Sequence, residues 1–188
     1  LNAFTAEFIF GFDSNYIASN ESDSLGLYIH CFHIFILSAI AGFCWNFWFH
    51  RFSDTEIRYF IQVAAGFILS FFLFKYGVDK IFKVQFYSPE PNTLFTPLGL
   101  LSKDILYWST VGSSYSYTVF SGFIEIVPAI LLWSKKTRLL GALLAFGVLL
   151  HVLLINFSFD ISVKILSSFL LGLSLILIQP YASSLASI

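Results

Sequence analysis

Charged side chains are scarce in this sequence: Asp, Glu, Lys and Arg make up 11% of its 188 residues. Soluble domains carry about 25%, so an ordinary water-exposed surface is excluded. The net charge of −1 provides no basic surplus for binding a nucleic acid. Phosphate-binding loops, dinucleotide fingerprints, nucleophile elbows and zinc motifs are also missing. The residues therefore indicate no soluble-type catalysis, and no catalytic residue is assigned.

Sulfur-containing side chains are rare as well. Methionine is absent, and the two cysteines are Cys31 and Cys44. On one helix these thiols are about 20 Å apart, which excludes a disulfide between them. Neither belongs to a C-x-x-C motif, so thiol exchange is disfavoured and both are expected to be small buried hydrophobic residues. Because methionine is absent even at the first position, we expect that the true N-terminus lies upstream or was processed. The sequence does not open with the basic region of a signal peptide.

Apolar residues dominate instead, with 57% hydrophobic and 20% aromatic residues and a mean hydropathy of +0.82. A helix of about 20 apolar residues crosses a hydrocarbon core about 30 Å thick. Five stretches approach this length: residues 25–49, 59–76, 117–133, 139–157 and 165–178. The helical pattern of the second stretch continues into charged residues beyond its end. The sequence therefore predicts an all-α polytopic membrane protein.

The predicted spans divide the chain into three parts. Residues 1–24 form an acidic extracytoplasmic segment, whose apolar opening is expected at the membrane surface or against a partner. Residues 25–49 form an additional transmembrane helix, and residues 56–180 form a four-helix membrane domain. Within this domain, the long connection at residues 84–116 holds three prolines and a predicted amphipathic helix at residues 98–108.

The distribution of cations predicts the orientation. Lys135, Lys136 and Arg138 cluster between the third and fourth spans, and Arg51 and Arg58 fall on the same side if all five spans cross. Positive charge is enriched on the cytoplasmic side of a membrane. We therefore expect a multi-pass protein of the bacterial inner membrane, with the N-terminus and the long connection outside and the C-terminus in the cytoplasm.

Glu125 lies at the midpoint of the third predicted span, Y-T-V-F-S-G-F-I-E-I-V-P-A-I-L-L-W. An ionised carboxylate without a partner is costly in hydrocarbon, and acidic residues within membrane spans are functional by default. We therefore expect Glu125 to be protonated, to pair with a cation from another helix, or to lie beside water.

Further polar residues recur in the outward halves of the neighbouring spans. Lys75 and Asp79 lie one turn apart on the second span, with Lys80 beside them. Helices that cross together bring these residues near a polar set on the third and fourth spans: Ser121, Glu125, His151 and Asn156. One interpretation is a pocket under the long connection that holds a quinone-like head group or a lipid, or that relays protons. The alternative is that Glu125 pairs with one lysine and His151 bonds a backbone carbonyl, so that both only fix the helix register.

Two histidines, His30 and His33, lie one turn apart on the first span. Two imidazoles at this spacing can share a metal ion, but no third ligand lies nearby in the sequence. The pair also cannot place axial ligands on opposite faces of one haem. We expect packing or interfacial side chains here, and no metal site.

Residues 74–180 carry a series of motifs: K-Y-G-V-D-K-I-F-K, P-E-P-N-T-L, L-S-K-D-I-L-Y-W-S-T, S-Y-T-V-F-S-G-F-I-E-I-V-P-A-I-L-L and R-L-L-G-A-L. In their order these motifs resemble the DoxX/DoxD-like family of small bacterial integral membrane proteins. The resemblance implies a four-helix bundle made of spans two to five. It also implies an association with quinone-linked or thiol-linked redox systems, through members that are subunits of thiosulfate:quinone oxidoreductase. This is an analogy at the level of the fold.

The additional helix at residues 25–49 departs from the pattern of that family. A helix outside a complete bundle needs a surface to pack against, and a partner subunit supplies one. The leading hypothesis is therefore a non-catalytic accessory subunit of an inner-membrane redox or respiratory complex. It contacts membrane lipids, docks through residues 1–49 and 84–116, and holds a quinone or lipid without a covalently bound cofactor. The alternatives are a quinone-linked oxidoreductase component and a carrier of small solutes or protons.

Overall fold

A computed structural model describes residues 2–9, 11, 22–48 and 53–182 of the protein. These residues belong to two compact units, Leu1–Arg58 and Tyr59–Ile188. In the described ranges the regular structure is entirely helical. Five helices there are long and apolar enough to cross a membrane, which confirms the predicted all-α, multi-pass class. The orientation inferred from the cations stays a prediction.

The first unit contains helices α1 (Asn2–Phe8) and α2 (Leu25–Trp48). The hydroxyl of Thr5 on α1 lies 2.7 Å from Nε2 of His33 on α2, in agreement with the predicted packing role of this histidine. Only 6% of the most apolar window of α2 is buried. Half of the predicted acidic segment, residues 1, 10 and 12–21, lies outside the described residues, and so does Arg51.

The remaining helices follow the predicted spans closely. The first of them, α3 (Asp54–Ile81), begins before the second unit. It leads into the long connection, which contains two shorter helices, α4 (Pro91–Phe95) and α5 (Lys103–Ser113). Three long helices complete the chain: α6 (Tyr115–Trp133), α7 (Arg138–Ser158) and α8 (Lys164–Ile178). The bounds agree with the predicted spans because length and apolar composition are properties of each segment alone.

The helix in the long connection begins later than predicted. A 3₁₀ turn occupies Leu98–Leu100, and α5 begins at Lys103 instead of residue 98. Ser102 takes the N-cap position with an extended backbone but makes no side-chain capping bond, and Asp104 lies in the first turn. Serine is a preferred N-cap residue, and an acidic residue in the first turn is favoured by the helix dipole. These local signals define the helix start better than the apolar pattern does.

The four long helices of the second unit share one hydrophobic core and form a four-helix bundle. The buried core residues come from all four helices: Ala65, Leu69 and Leu73 on α3, Ala129 and Leu132 on α6, Ala142, Ala145 and Leu149 on α7, and Leu170, Leu173 and Leu177 on α8. A polar contact joins α3 to α6, where the Ser70 hydroxyl donates to the Ala129 carbonyl at 2.8 Å. Small residues in this core let the helix backbones approach closely.

Candidate functional site

A close crossing of α3 and α6 positions the two central side chains of the site. A Cβ atom on Gly77 would lie 2.7 Å from the carbonyl oxygen of Gly122, and a Cβ on Gly122 would lie 2.6 Å from that of Gly77. Only glycine allows this approach, since a Cβ needs more room on both sides. The helices are antiparallel here, and helical side chains lean toward the N-terminus of their own helix. Lys80 and Glu125 therefore lean toward each other across the crossing.

Lys80 and Glu125 form a buried salt bridge, in which Nζ of Lys80 donates to Oε1 of Glu125. The two residues are 8% and 4% exposed. Of the three environments expected for Glu125, the structure shows the pairing with a cation from another helix. The second carboxylate oxygen, Oε2, is also buried and accepts no hydrogen bond from the described part of the chain. The pair therefore satisfies the lysine but leaves one strong acceptor available.

A cavity of about 270 Å³ opens beside this salt bridge within the second unit. Its walls are mainly apolar, and its lining residues are Leu73, Tyr76, Lys80, Gln85, Phe86, Tyr107, Trp108, Glu125, Leu149, Val152, Ile155, Asn156, Ile161, Val163, Leu166, Ser167 and Leu170. Gln85 contributes a second acceptor, because its Oε1 atom is buried and has no partner in the described residues. The cavity thus combines apolar walls with a few polar atoms, as is typical of small-molecule sites.

Aromatic residues of the long connection cover the cavity. Phe86 is buried, and its ring centroid lies 4.7 Å from that of Trp108 and 6.1 Å from that of Tyr107. Nζ of Lys80 lies 5.9 Å from the Phe86 centroid, within the range of a cation–π contact. Burial raises the pKa of the Tyr107 phenol to about 12. A phenol keeps its proton at neutral pH even at its ordinary pKa of about 10, and burial strengthens this preference. These aromatics were not assigned to the site from sequence, although the connection was expected to cover the pocket.

Asn156 lies in the cavity wall, as predicted, and bonds a residue that the sequence did not single out. Its Nδ2 donates to the hydroxyl of Ser167 at 3.0 Å, which joins α7 to α8. Both residues are 4% exposed. A serine in an apolar helix is common in membrane bundles, so the sequence alone held no signal for the contact.

The remaining predicted pocket residues lie elsewhere, which corrects the predicted grouping. His151 is exposed and does not line the cavity. It is two residues from the buried Leu149, and this spacing places it on another face of α7. Lys75 and Asp79 form an exposed salt bridge of 2.7 Å with each other. Ser121 is half-buried, and its hydroxyl donates to the Thr118 carbonyl at 2.8 Å.

A comparison of the sequence with known proteins identifies a relative of this chain. The protein YwoB of Bacillus subtilis (strain 168), which is described as uncharacterized, is 34% identical over 122 residues. The aligned region covers 65% of this chain and 77% of YwoB. No family model matches the chain, and no solved structure matches it. The DoxX-like resemblance therefore stays a prediction.

Proposed function

The chain belongs to the same family as YwoB, and we propose that it is a membrane-embedded binding protein whose cavity holds the polar head of a quinone or another lipid. The observation that carries this proposal is the salt bridge between Lys80 and Glu125 in the wall of a mainly apolar cavity. A buried ion pair contributes little net stability compared with apolar residues of the same size. Its position beside a cavity is better explained by recognition of a polar group.

The proposal includes a role as a DoxX-like, non-catalytic accessory subunit of an inner-membrane redox complex. The four-helix bundle of the second unit agrees with the architecture that the resemblance implies. The docking role of the first unit is part of the same proposal, because α2 is additional to the four helices that the resemblance implies. A quinone-linked oxidoreductase component is the enzymatic form of the same proposal.

Filling the cavity is expected to release its ligand. In the variant Val152→Phe, extra ring atoms enter the cavity wall, so lipid that co-purifies with the wild type in mild detergent should fall at least about tenfold. The measurement is organic extraction of the purified protein, followed by chromatography and mass spectrometry. Val148→Phe is the matched control, because Val148 lies one turn away on α7 and does not line the cavity. Equal lipid content in the three proteins would contradict the proposal.

The accessory role predicts a stoichiometric partner. Affinity purification of the tagged chain from native membranes in mild detergent should recover a subunit that carries a flavin, haem or iron–sulfur centre, detected by its absorption spectrum. If the chain elutes alone and monodisperse from such extracts, the accessory role is wrong, while ligand binding in the cavity remains testable by itself.

A carrier of protons or small solutes is the second candidate, and Oε2 of Glu125, which has no partner among the residues that the structure describes, favours it. A carboxylate within a membrane bundle can take up and release a proton during transport. In proteoliposomes, Glu125→Gln should then abolish the flux, whereas His151→Gln should leave it unchanged because His151 is exposed away from the cavity. Flux that is insensitive to Glu125→Gln would exclude this function.

A further inference from the structure

Two buried oxygen atoms in the cavity wall lack hydrogen-bond donors. They are Oε2 of Glu125 and Oε1 of Gln85, and neither has a partner in the described residues. A carboxylate oxygen is an acceptor in every orientation of its side chain. Buried acceptors in proteins are nearly always satisfied, and a buried acceptor without a donor carries a free-energy cost. These two oxygen atoms are therefore available to hydrogen-bond donors on a ligand.

The charge of the cavity restricts the ligand further. Lys80 and Glu125 already neutralise each other within one salt bridge. A cationic ligand would compete with Lys80 for the carboxylate, and an anionic ligand would have to displace Glu125 from the lysine. A neutral ligand leaves the pair intact and can still donate to Oε2 of Glu125.

We infer that the polar end of the ligand is a neutral hydroxylated aromatic head group, which donates hydrogen bonds to Glu125 and Gln85. A hydroxyl group suits the site because it donates and accepts at once, and Tyr107 supplies a protonated phenol in the same cavity. The rings of Phe86 and Trp108 provide apolar surfaces against which an aromatic head can stack. This inference rests on the proposed function, and it selects the hydroquinone form over the quinone form of such a ligand.

The test compares three probes that share one ring and one alkyl tail. They are a pentyl-substituted hydroquinone, its dimethyl ether and the corresponding quinone, titrated anaerobically into the full-length protein in mild detergent. Isothermal titration calorimetry measures the dissociation constants. The hydroquinone should bind at least about tenfold more tightly than either other probe, because only it carries donors. The dimethyl ether lacks donors but is bulkier than the hydroquinone. The quinone also lacks donors and adds no bulk, so it controls for the size of the ether.

A variant that removes one of the two acceptors, Gln85, tests the inference separately from the proposed function. Gln85→Leu should weaken binding of the hydroquinone severalfold and leave the affinity for the dimethyl ether unchanged. The ratio of the two dissociation constants should therefore become smaller. His151→Gln should keep the full preference, because this residue does not line the cavity. Equal affinities for the three probes, or tighter binding of the quinone, would overturn the inference and leave the proposed function standing. If no probe binds the wild type better than Val152→Phe, the inference also fails, and the lipid content of Val152→Phe and Val148→Phe decides the proposed function independently.

Discussion

Replacement of Glu125 by Leu is expected to destabilise the protein by about 3–5 kcal/mol, because the buried ammonium of Lys80 then has no carboxylate partner. Lys80→Met should cost a similar amount, since it leaves the buried carboxylate of Glu125 without a cation. The free energy of unfolding is measured by titrating the purified protein with a denaturing detergent in mixed micelles. These are the largest effects that the structure predicts for single substitutions.

The double variant Lys80→Met/Glu125→Leu should recover most of the lost stability, because two apolar side chains replace two desolvated charges. The exposed pair offers a matched control on the same helix: Lys75→Met should cost no more than about 1 kcal/mol. A cost for Glu125→Leu as small as that of the control would show that the salt bridge is not buried as described. A stable double variant that has lost ligand binding would show that the pair serves recognition and not folding.

Substitution of Gly122 by Ala is the second change with a large expected effect. Its new Cβ would lie 2.6 Å from the carbonyl oxygen of Gly77 and 2.7 Å from a side-chain atom of Ile81. Helices α3 and α6 must then separate, which costs about 1–3 kcal/mol. Separation also pulls Lys80 away from Glu125, so ligand binding should weaken together with stability. The same detergent titration and the hydroquinone titration measure the two effects.

Gly147→Ala is the control for this prediction. Gly147 lies inside α7, and a Cβ atom at this position would have no atom of the described residues within 4 Å beyond its own helix backbone. Alanine favours a helix over glycine by about 0.5–1 kcal/mol, so this variant should be as stable as the wild type or slightly more stable. The close-crossing interpretation is wrong if Gly122→Ala behaves like Gly147→Ala.

Some of the charged residues of the site could be predicted from the sequence, and others could not. Glu125 was identified because a carboxylate amid apolar residues requires compensation wherever the chain folds. The sequence left open whether Lys75 or Lys80 joins Glu125, since both lie with Asp79 on one stretch of helix. The bundle separates them, because Lys80 continues the buried stripe of Leu73 and Gly77, whereas the other two lie off it.

The sequence by itself determined the all-helical class, the bounds of the long helices and the need of Glu125 for a partner, because hydropathy, helix length and the cost of a charge in hydrocarbon are local properties. The tertiary structure alone decided that Lys80 is this partner, that Gln85 and the aromatics of the long connection cover the cavity, and that His151 faces away from it. These outcomes depend on the rotation of each helix about its axis, which is set where helices touch, as at Gly77 and Gly122.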